Sequence, residues 1–380
     1  MSDDVGENMS NGKTVVIQRC VSYDRREVEK AVAACFESSG FRMPSPDTKV
    51  LIKPNLLVPA LPDRAITTRG EVVRAVITVL RECTPHIIVG DSPGFGACRQ
   101  VAEIAGIARV CREMRVRLGS FSGTATLHNP RGEVCRRFEV ASEVDEADVV
   151  VNMPKLKTHG LVGLTCAVKN LFGCIPGLGK QHLHLRMQEV GAFSGMLVDL
   201  CDAIRPALTV VDAVVAMEGR GPRHGDPREV GLILAGTDPY AVDVAACAVL
   251  CIDPATVPTV TAAHRRGLGP VSWAEITPVG LGIEEARVRG FKQSALRRSL
   301  PGPHSLRSLL KDYATARPEI GEACRGCRVC QRVCPANAIV ESGDRLLVDH
   351  ARCIRCYCCD EMCPHGAIVM RRPLLSRLFR

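Results

Sequence analysis

From Lys13 to about Gly282, short runs of aliphatic and β-branched residues alternate with longer stretches whose apolar positions recur every three or four residues. A short apolar run bounded by turn residues reads as a buried strand, and the longer periodicity reads as a helix with one apolar face. The runs predict strands over Thr14–Ile17, Val50–Ile52, Ile87–Val89, Val149–Val151, Thr209–Val211 and Gly231–Leu234. The amphipathic stretches predict helices over Arg26–Ser38, stopping before Gly40, and over Arg69–Cys83, Arg99–Met114, Met187–Ile204 and Pro239–Leu250. Alternating strand and helix is the pattern of a mostly parallel sheet covered by helices. About 270 residues is long for one sheet, so residues 13–293 are expected to form two α/β lobes with a cleft between them.

The pattern changes after that. Residues 294–316 contain Pro301-Gly302-Pro303 and a basic amphipathic stretch, Ser305 to Lys311, which predicts a linker or connector helix. Residues 317–370 carry an internal repeat. Cys324, Cys327, Cys330 and Cys334 with Pro335 form one C-x2-C-x2-C-x3-C-P string. Cys353, Cys356, Cys359 and Cys363 with Pro364 form the second, and every position recurs at the offset that separates Cys324 from Cys353. Ala-Ile-Val follows each Pro at that same offset (Ala338–Val340 and Ala367–Val369). The repeat covers strand as well as loop, so a whole supersecondary unit is duplicated. The final segment, 371–380, holds four Arg with apolar Leu and Phe and suits contact with a membrane surface.

Two four-cysteine strings in register point to iron–sulfur cubes, because three closely spaced thiolates can wrap three corners of one cluster. Structural zinc, the competing reading, more often pairs two short C-x-x-C units across a longer gap. The segment Ala323 to Met370 resembles bacterial-type two-cluster ferredoxins. That resemblance implies two 4Fe–4S clusters and an exchange of fourth ligands: Cys324, Cys327, Cys330 and Cys363 on one, Cys353, Cys356, Cys359 and Cys334 on the other. Cys358 falls outside this pattern and reads as a packing residue. The expected fold is α/β: a two-lobed, mostly parallel portion followed by a small α+β two-cluster ferredoxin-like domain.

Composition narrows the function classes. Twenty cysteines in 380 residues would suggest disulfides in a small secreted chain, but Met1 to Lys13 is polar with no apolar leader. No apolar run reaches the roughly 18 residues of a membrane span. A reducing cytoplasm is the expected location. Cys83, Cys201 and Cys247 sit in apolar helical patterns, where cysteine behaves as a small hydrophobe. One Trp, four Tyr and nine Phe leave few stacking surfaces, so nucleic-acid binding is not expected. The formal charge of +8 is uneven: Glu285 to Arg380 holds 18 Lys and Arg against 9 Asp and Glu, and the rest is nearly balanced. That surplus offsets anionic clusters and suits docking of an acidic redox partner protein.

In parallel α/β sheets, ligands bind beyond the carboxyl ends of the strands. Polar residues gather there: Lys53-Pro54-Asn55, Asp91-Ser92-Pro93-Gly94, Asn152 to His159, Asp212 and Thr237-Asp238-Pro239. Lys53, Lys155, Lys157 and Lys169 supply positive charge, which points to a small anionic ligand or cofactor. Lys53, Asn55, Asp91, Asn170 and Asp238 are the candidate ligand-binding residues; Lys155, Lys157, Lys169 and His159 are the catalytic candidates. Walker A and Rossmann glycine patterns are absent, which disfavours a nucleotide or NAD enzyme.

Four segments carry a family resemblance: Val50–Leu57 (VLIKPNLL), Gly90–Gly96 (GDSPGFG), Asn152–Gly177 (NMPKLKTHGLVGLTCAVKNLFGCIPG) and Gly236–Asp243 (GTDPYAVD). They resemble domain of unknown function 362, whose members often end in a ferredoxin module. This implies the fold and the iron–sulfur pairing, and no reaction. A more distant likeness joins His159, Gly163, Lys169 and Pro176-Gly177 to the segment of lactate racemases that bears their nickel-pincer lysine. It implies a cofactor-bearing Lys169, an acid/base His159, and His182 or His184 at a nickel position. The chain has Thr165-Cys166-Ala167-Val168 where those enzymes are Gly-rich, and lacks their early Asp and Arg. The function expected is electron transfer between two clusters and an anion in the α/β cleft. A non-catalytic electron carrier and a racemase-like isomerase are the alternatives.

Overall fold

The computed structural model describes residues 13–294 and 315–371. The polar start, nearly all of the predicted linker and the basic tail after Arg371 lie outside the described residues. The strands, in chain order, are β1 (Thr14–Arg19), β2 (Val50–Pro54), β3 (Ile87–Val89), β4 (Arg117–Leu118), β5 (Thr124–His128), β6 (Arg137–Ala141), β7 (Val149–Met153), β8 (Lys155–His159), β9 (Gly163–Thr165), β10 (Leu208–Glu218), β11 (Asp226–Gly236), β12 (Thr277–Gly280), β13 (Arg317–Ile320), β14 (Ile339–Ser342), β15 (Arg345–Val348) and β16 (Ile368–Arg371).

Among the described residues, ten strands form one sheet in the order β12-β1-β11-β10-β7-β2-β3-β4, with β8 and β9 branching from β10. The pairs β10–β7, β7–β2, β2–β3 and β3–β4 are parallel. Strand β11 runs antiparallel to both β1 and β10. The sheet is thus mostly parallel with an antiparallel insertion, and one continuous sheet takes the place of the two lobes expected from length. Alternation along the strands sets which face each side chain covers. Val50 and Ile52 pack with the helices Arg25–Ser38 and Gly70–Arg81 on one face, while Leu51 joins Phe193, Leu197 and Leu200 on the other. Fully burying such a side chain contributes about 1.5–3 kcal/mol, so this two-sided core holds the strand ends in place.

Local chemistry sets the helix boundaries. Asp24 caps Arg25–Ser38 by accepting from the amides of Arg26 and Glu27 at 3.0 and 3.2 Å. Asp238 caps Pro239–Val249, accepting from Tyr240 N at 2.8 Å, with Pro239 at the first helical position. The helix predicted over Arg99–Met114 is two helices, Cys98–Ile104 and Ile107–Glu113. Gly106 between them has φ +79°, a left-handed conformation that a continuing helix cannot contain.

The duplication in the cysteine segment extends to the backbone. The short helices Val329–Arg332 and Cys358–Met362 begin at the offset of the two cysteine strings, and so do β14 and β16. Positive φ recurs in the same register at Gly326 and Arg355, Arg328 and Tyr357, and Asn337 and Gly366. Strand β13 pairs with β16, and β14 with β15, so the first strand of the segment pairs with its last. Among the described residues no helix is long and apolar enough to cross a membrane.

Candidate functional site

The residues around the strand ends sort into two buried ion pairs and one cavity. At the end of β2, Lys53 is fully buried, its ammonium 2.7 Å from Asp91 Oδ1 and donating to the Pro54 carbonyl at 2.9 Å. The other oxygen of Asp91 accepts from Leu56 N at 2.8 Å. Gly173 closes over this pair: a Cβ there would stand 2.0 Å from Asp91 Oδ1, so only glycine fits. The second pair joins Lys155 of β8 to Asp212 of β10 at 3.0 Å, with neither side chain exposed. Tyr23 donates to Asp212 at 2.8 Å and accepts from Lys155 at 2.7 Å. Burial beside Asp212 pushes the Tyr23 phenol far up, so it stays neutral.

The cavity has a volume of about 90 Å³, room for roughly three waters at ~30 Å³ each. Its α/β wall includes Asn55, Lys157, His159, Lys169, Lys180 and His184; Val333, Cys358, Glu361 and Met362 come from the cysteine segment. Of the ligand-binding and catalytic candidates, Asn55, Asp91, Lys157, His159, Lys169 and Asn170 line it, as does His184 of the racemase-like segment, while His182 does not. Lys53, Lys155 and Asp238 do not: the first two are consumed by carboxylates and Asp238 by its helix cap. The stretch Asn152 to His159 is no loop at its far end. Lys155 to His159 form β8, where Lys155, Lys157 and His159 occupy alternate positions of one strand.

The three cavity lysines have different surroundings. Lys157 donates to Asn55 Oδ1 and to the Ile66 carbonyl, and burial pushes its pKa well down, with Lys169 adding to the effect. Lys169 makes no hydrogen bond or ion pair among the described residues; its ammonium lies 4.6 Å from the centre of the Phe172 ring. Burial lowers its pKa while the nearby Glu361 charge opposes the shift. Lys180 donates to Ser92 Oγ at 2.7 Å and to the Pro93 carbonyl at 3.2 Å. Burial lowers its pKa to about 7, Lys53 and Lys169 adding to the fall and Asp91 opposing it.

The helix Ala167–Asn170 presents Lys169 because Asp243 accepts from the Ala167 and Val168 amides at 2.6 and 3.3 Å. Asn152 adds a second hold, donating to the Ala167 carbonyl at 2.9 Å and accepting from Asn170 Nδ2 at 2.8 Å. The Leu161 amide donates to His159 Nδ1 at 3.1 Å, which leaves Nε2 facing Glu361 Oε1 at 3.5 Å. Burial holds the imidazole well below its usual range, so it is neutral. Besides Asp91 Oδ1, which is ion-paired to Lys53, two buried polar atoms of cavity residues, Thr165 Oγ1 and Asn170 Oδ1, have no hydrogen-bond partner among the described residues. Buried polar groups of this kind call for a ligand or water.

Sequence reasoning missed Lys180, Glu361 and Met362. The repeat held no clue to the last two: its units share only the cysteines, the prolines and Ala-Ile-Val, so Glu361 in place of Arg332 and Met362 in place of Val333 are two differences among many.

The two regions are fastened around this cavity. Arg220 bonds Asp360 at 2.5 Å, Arg223 donates to the Met362 carbonyl at 2.7 Å, and a His224 ring nitrogen meets the Asp360 carbonyl at 2.9 Å. Val58, Ile66 and Met217 pack with Val329, Val333, Cys358 and Met362 in one apolar cluster.

The cysteine strings bear directly on whether clusters fit. Cys324, Cys327, Cys330 and Cys363 line one small cavity of about 10 Å³. Burial pushes the Cys330 thiol up to about 11, and Cys363, Cys324 and Cys327 add to it. Burial likewise raises Cys359, reinforced by Cys356, Cys353 and Cys334. Crowded thiols that oppose each other's ionisation are the donor set a cationic iron–sulfur core offsets. The Ala338 and Ala367 amides donate to Cys334 Sγ and Cys363 Sγ at 3.2 and 3.3 Å, equivalent bonds in the two repeat units. Among the described residues no three His, Cys, Asp or Glu close on a single ion. A cube takes its thiolates at separate corners.

Residues 50–248 match the family described as domain of unknown function (DUF362). The thylakoid-associated protein sll1697 of Synechocystis sp. strain PCC 6803 is 38% identical over 268 residues, 70% of this chain and 83% of that protein. The lactate racemase apoprotein from Thermoanaerobacterium thermosaccharolyticum aligns with a TM-score of 0.36 and 12% identity, covering 58% of this chain. The chain spans only 53% of that structure, and the score is too low to argue from.

Proposed function

The chain belongs to the DUF362 family, and from that premise we propose an iron–sulfur protein that moves electrons between two 4Fe–4S clusters and a small anion held in the cavity. The observation that carries this reading is the shared wall: Lys157, His159 and Lys169 face Cys358, Glu361 and Met362 across one cavity. A ligand there touches the helix that also contains Cys359. Cys324, Cys327, Cys330 and Cys363 would hold one cluster, and Cys353, Cys356, Cys359 and Cys334 the other. When bound, such clusters exchange single electrons at potentials tuned by hydrogen bonds to sulfur and by burial.

The chain's own residues supply the rest. Lys169, without an ion-pair partner among the described residues, receives the ligand's negative charge, while Lys157 is held back by Asn55 and Ile66. His159 carries its proton on Nε2, facing Glu361 Oε1 at 3.5 Å, and so offers a hydrogen-bond donor to a ligand beside that pair. The basic surplus of the C-terminal region suits an acidic redox partner.

Anaerobic reconstitution, with iron, sulfide and zinc counted and Lys169 examined by mass spectrometry, tests the reading. About eight irons on a brown protein with unmodified Lys169 is the expected result. A colourless, zinc-loaded protein overturns it, and a mass shift on Lys169 replaces it with a lysine-linked cofactor. Cys358→Ser is expected to leave the iron count unchanged; loss of about four irons would overturn the ligand assignment.

A further inference from the structure

We propose that Lys180 is a carbonyl-binding amine, forming an imine with a small 2-oxo carboxylate whose carboxylate rests on Lys169. This inference depends on the reading that the cavity takes a small anion, and not on the clusters.

The geometry separates the cavity lysines by role. Lys157 is clamped between an amide oxygen and a backbone carbonyl. Lys169 lies over Phe172 with no hydrogen bond or ion pair among the described residues, which suits it to anchor an anion. Lys180 touches a hydroxyl and a carbonyl, both neutral, and no ion pair joins it among the described residues. Asp91, the acid nearest by charge, is already taken by Lys53 at 2.7 Å. The groups acting on Lys180 are therefore Asp91, Lys53, Lys169 and Cys174, and with burial they leave its pKa at about 7. A desolvated lysine beside other cations is the usual environment of an imine-forming amine. His184, on the same cavity wall, is neutral as well: burial lowers it to about 3, and it stacks on Phe193 at 4.5 Å.

The chemistry balances without a redox partner. The Lys180 nitrogen attacks the carbonyl carbon and gives one proton to the carbonyl oxygen, forming a carbinolamine. The carbon–oxygen bond then breaks, the oxygen leaves as water with the second amine proton, and a carbon–nitrogen double bond forms. Ser92 Oγ, 2.7 Å from the amine, is placed to relay those protons. Thr165 Oγ1 and Asn170 Oδ1 are both without partners among the described residues; the hydroxyl can donate to the departing oxygen and the amide oxygen can accept from the water formed.

The test uses the full chain, purified without oxygen and incubated near neutral pH with pyruvate and sodium cyanoborohydride, then digested for peptide mass spectrometry. Expected is a reduced adduct on Lys180 that excess acetate suppresses in the unaltered protein. Lys180→Arg should lose it, and Lys169→Met should cut pyruvate labelling about tenfold, a loss of ~1.4 kcal/mol. Acetone, which lacks a carboxylate, should label both proteins equally weakly. No adduct, labelling confined to surface lysines, labelling of Lys169 instead, or indifference to acetate would each overturn the proposal. Iron counted in the same sample separates the two readings. A Lys180 adduct on an iron-free protein overturns only the electron-transfer reading. About eight irons with no adduct overturns only the imine.

Discussion

The sheet region and the cysteine segment bury different things. The sheet is stabilised by Val, Ile and Leu side chains on both faces, and it encloses two ion pairs, Lys53 with Asp91 and Lys155 with Asp212. The cysteine segment has two short two-stranded sheets, and its small core consists largely of Cys330, Cys359, Cys363, Ile339, Leu346 and Ile368. A small core half made of thiols buries less apolar surface per residue than the sheet's aliphatic core. The first region has a large aliphatic core of its own, and the second is the one that would gain most stability from the proposed clusters. The cavity lies where they meet, with polar atoms that have no partner among the described residues from the first and Glu361 from the second.

The largest effect should come from metal removal. Chelation is expected to abolish hydrogen-exchange protection across residues 315–371 while the sheet strands keep theirs. Equal protection in both regions after chelation would erase the distinction. Next is Lys155→Met, which leaves Asp212 inside the sheet without its cation, held only by Tyr23 and the Arg69 amide. It should cost about 3–5 kcal/mol in urea unfolding, with a further Asp212→Leu change recovering much of the loss. The iron count should not change. A loss under about 1 kcal/mol would mean that water reaches the pair.

The smallest effect is one of pH. Burial raises Asp243 to about 7, against the roughly 3.9 of an unfolded aspartate. Between those values the folded chain holds a proton that the unfolded chain has lost, so this group's contribution is complete below about pH 4 and declines as pH rises toward 7. Asp243→Asn should flatten the stability profile in that window by roughly 1–4 kcal/mol. An unchanged profile would show that the Ala167 and Val168 amides keep the carboxylate ionised.

Much of the fold was legible because its signals are local. The run Val50-Leu51-Ile52 is apolar on both sides of its pleat, as only a covered central strand is, and Asp238-Pro239 announces a helix start. Length misled about lobes because β10 and β11, each 11 residues long, extend one sheet across the whole portion. The site was legible in part. Lys155 and Lys157 differ by two positions on one strand and share a residue type, yet one is neutralised by Asp212 and the other faces the cavity. Asp212 lies several elements beyond Lys155 along the chain, and Glu361 lies in a different region from His159 altogether. No local pattern reports such pairings.

The sequence alone determined the alternation that makes an α/β sheet, the two cysteine strings and their offset, and the pool of cations near the strand ends. Those are properties of spacing and residue type. Tertiary structure decided which cations are spent in ion pairs, which remain available to a ligand, and that the helix carrying Cys358 and Glu361 closes the cavity wall. Charge is written residue by residue, but its cancellation depends on which distant segment packs beside it.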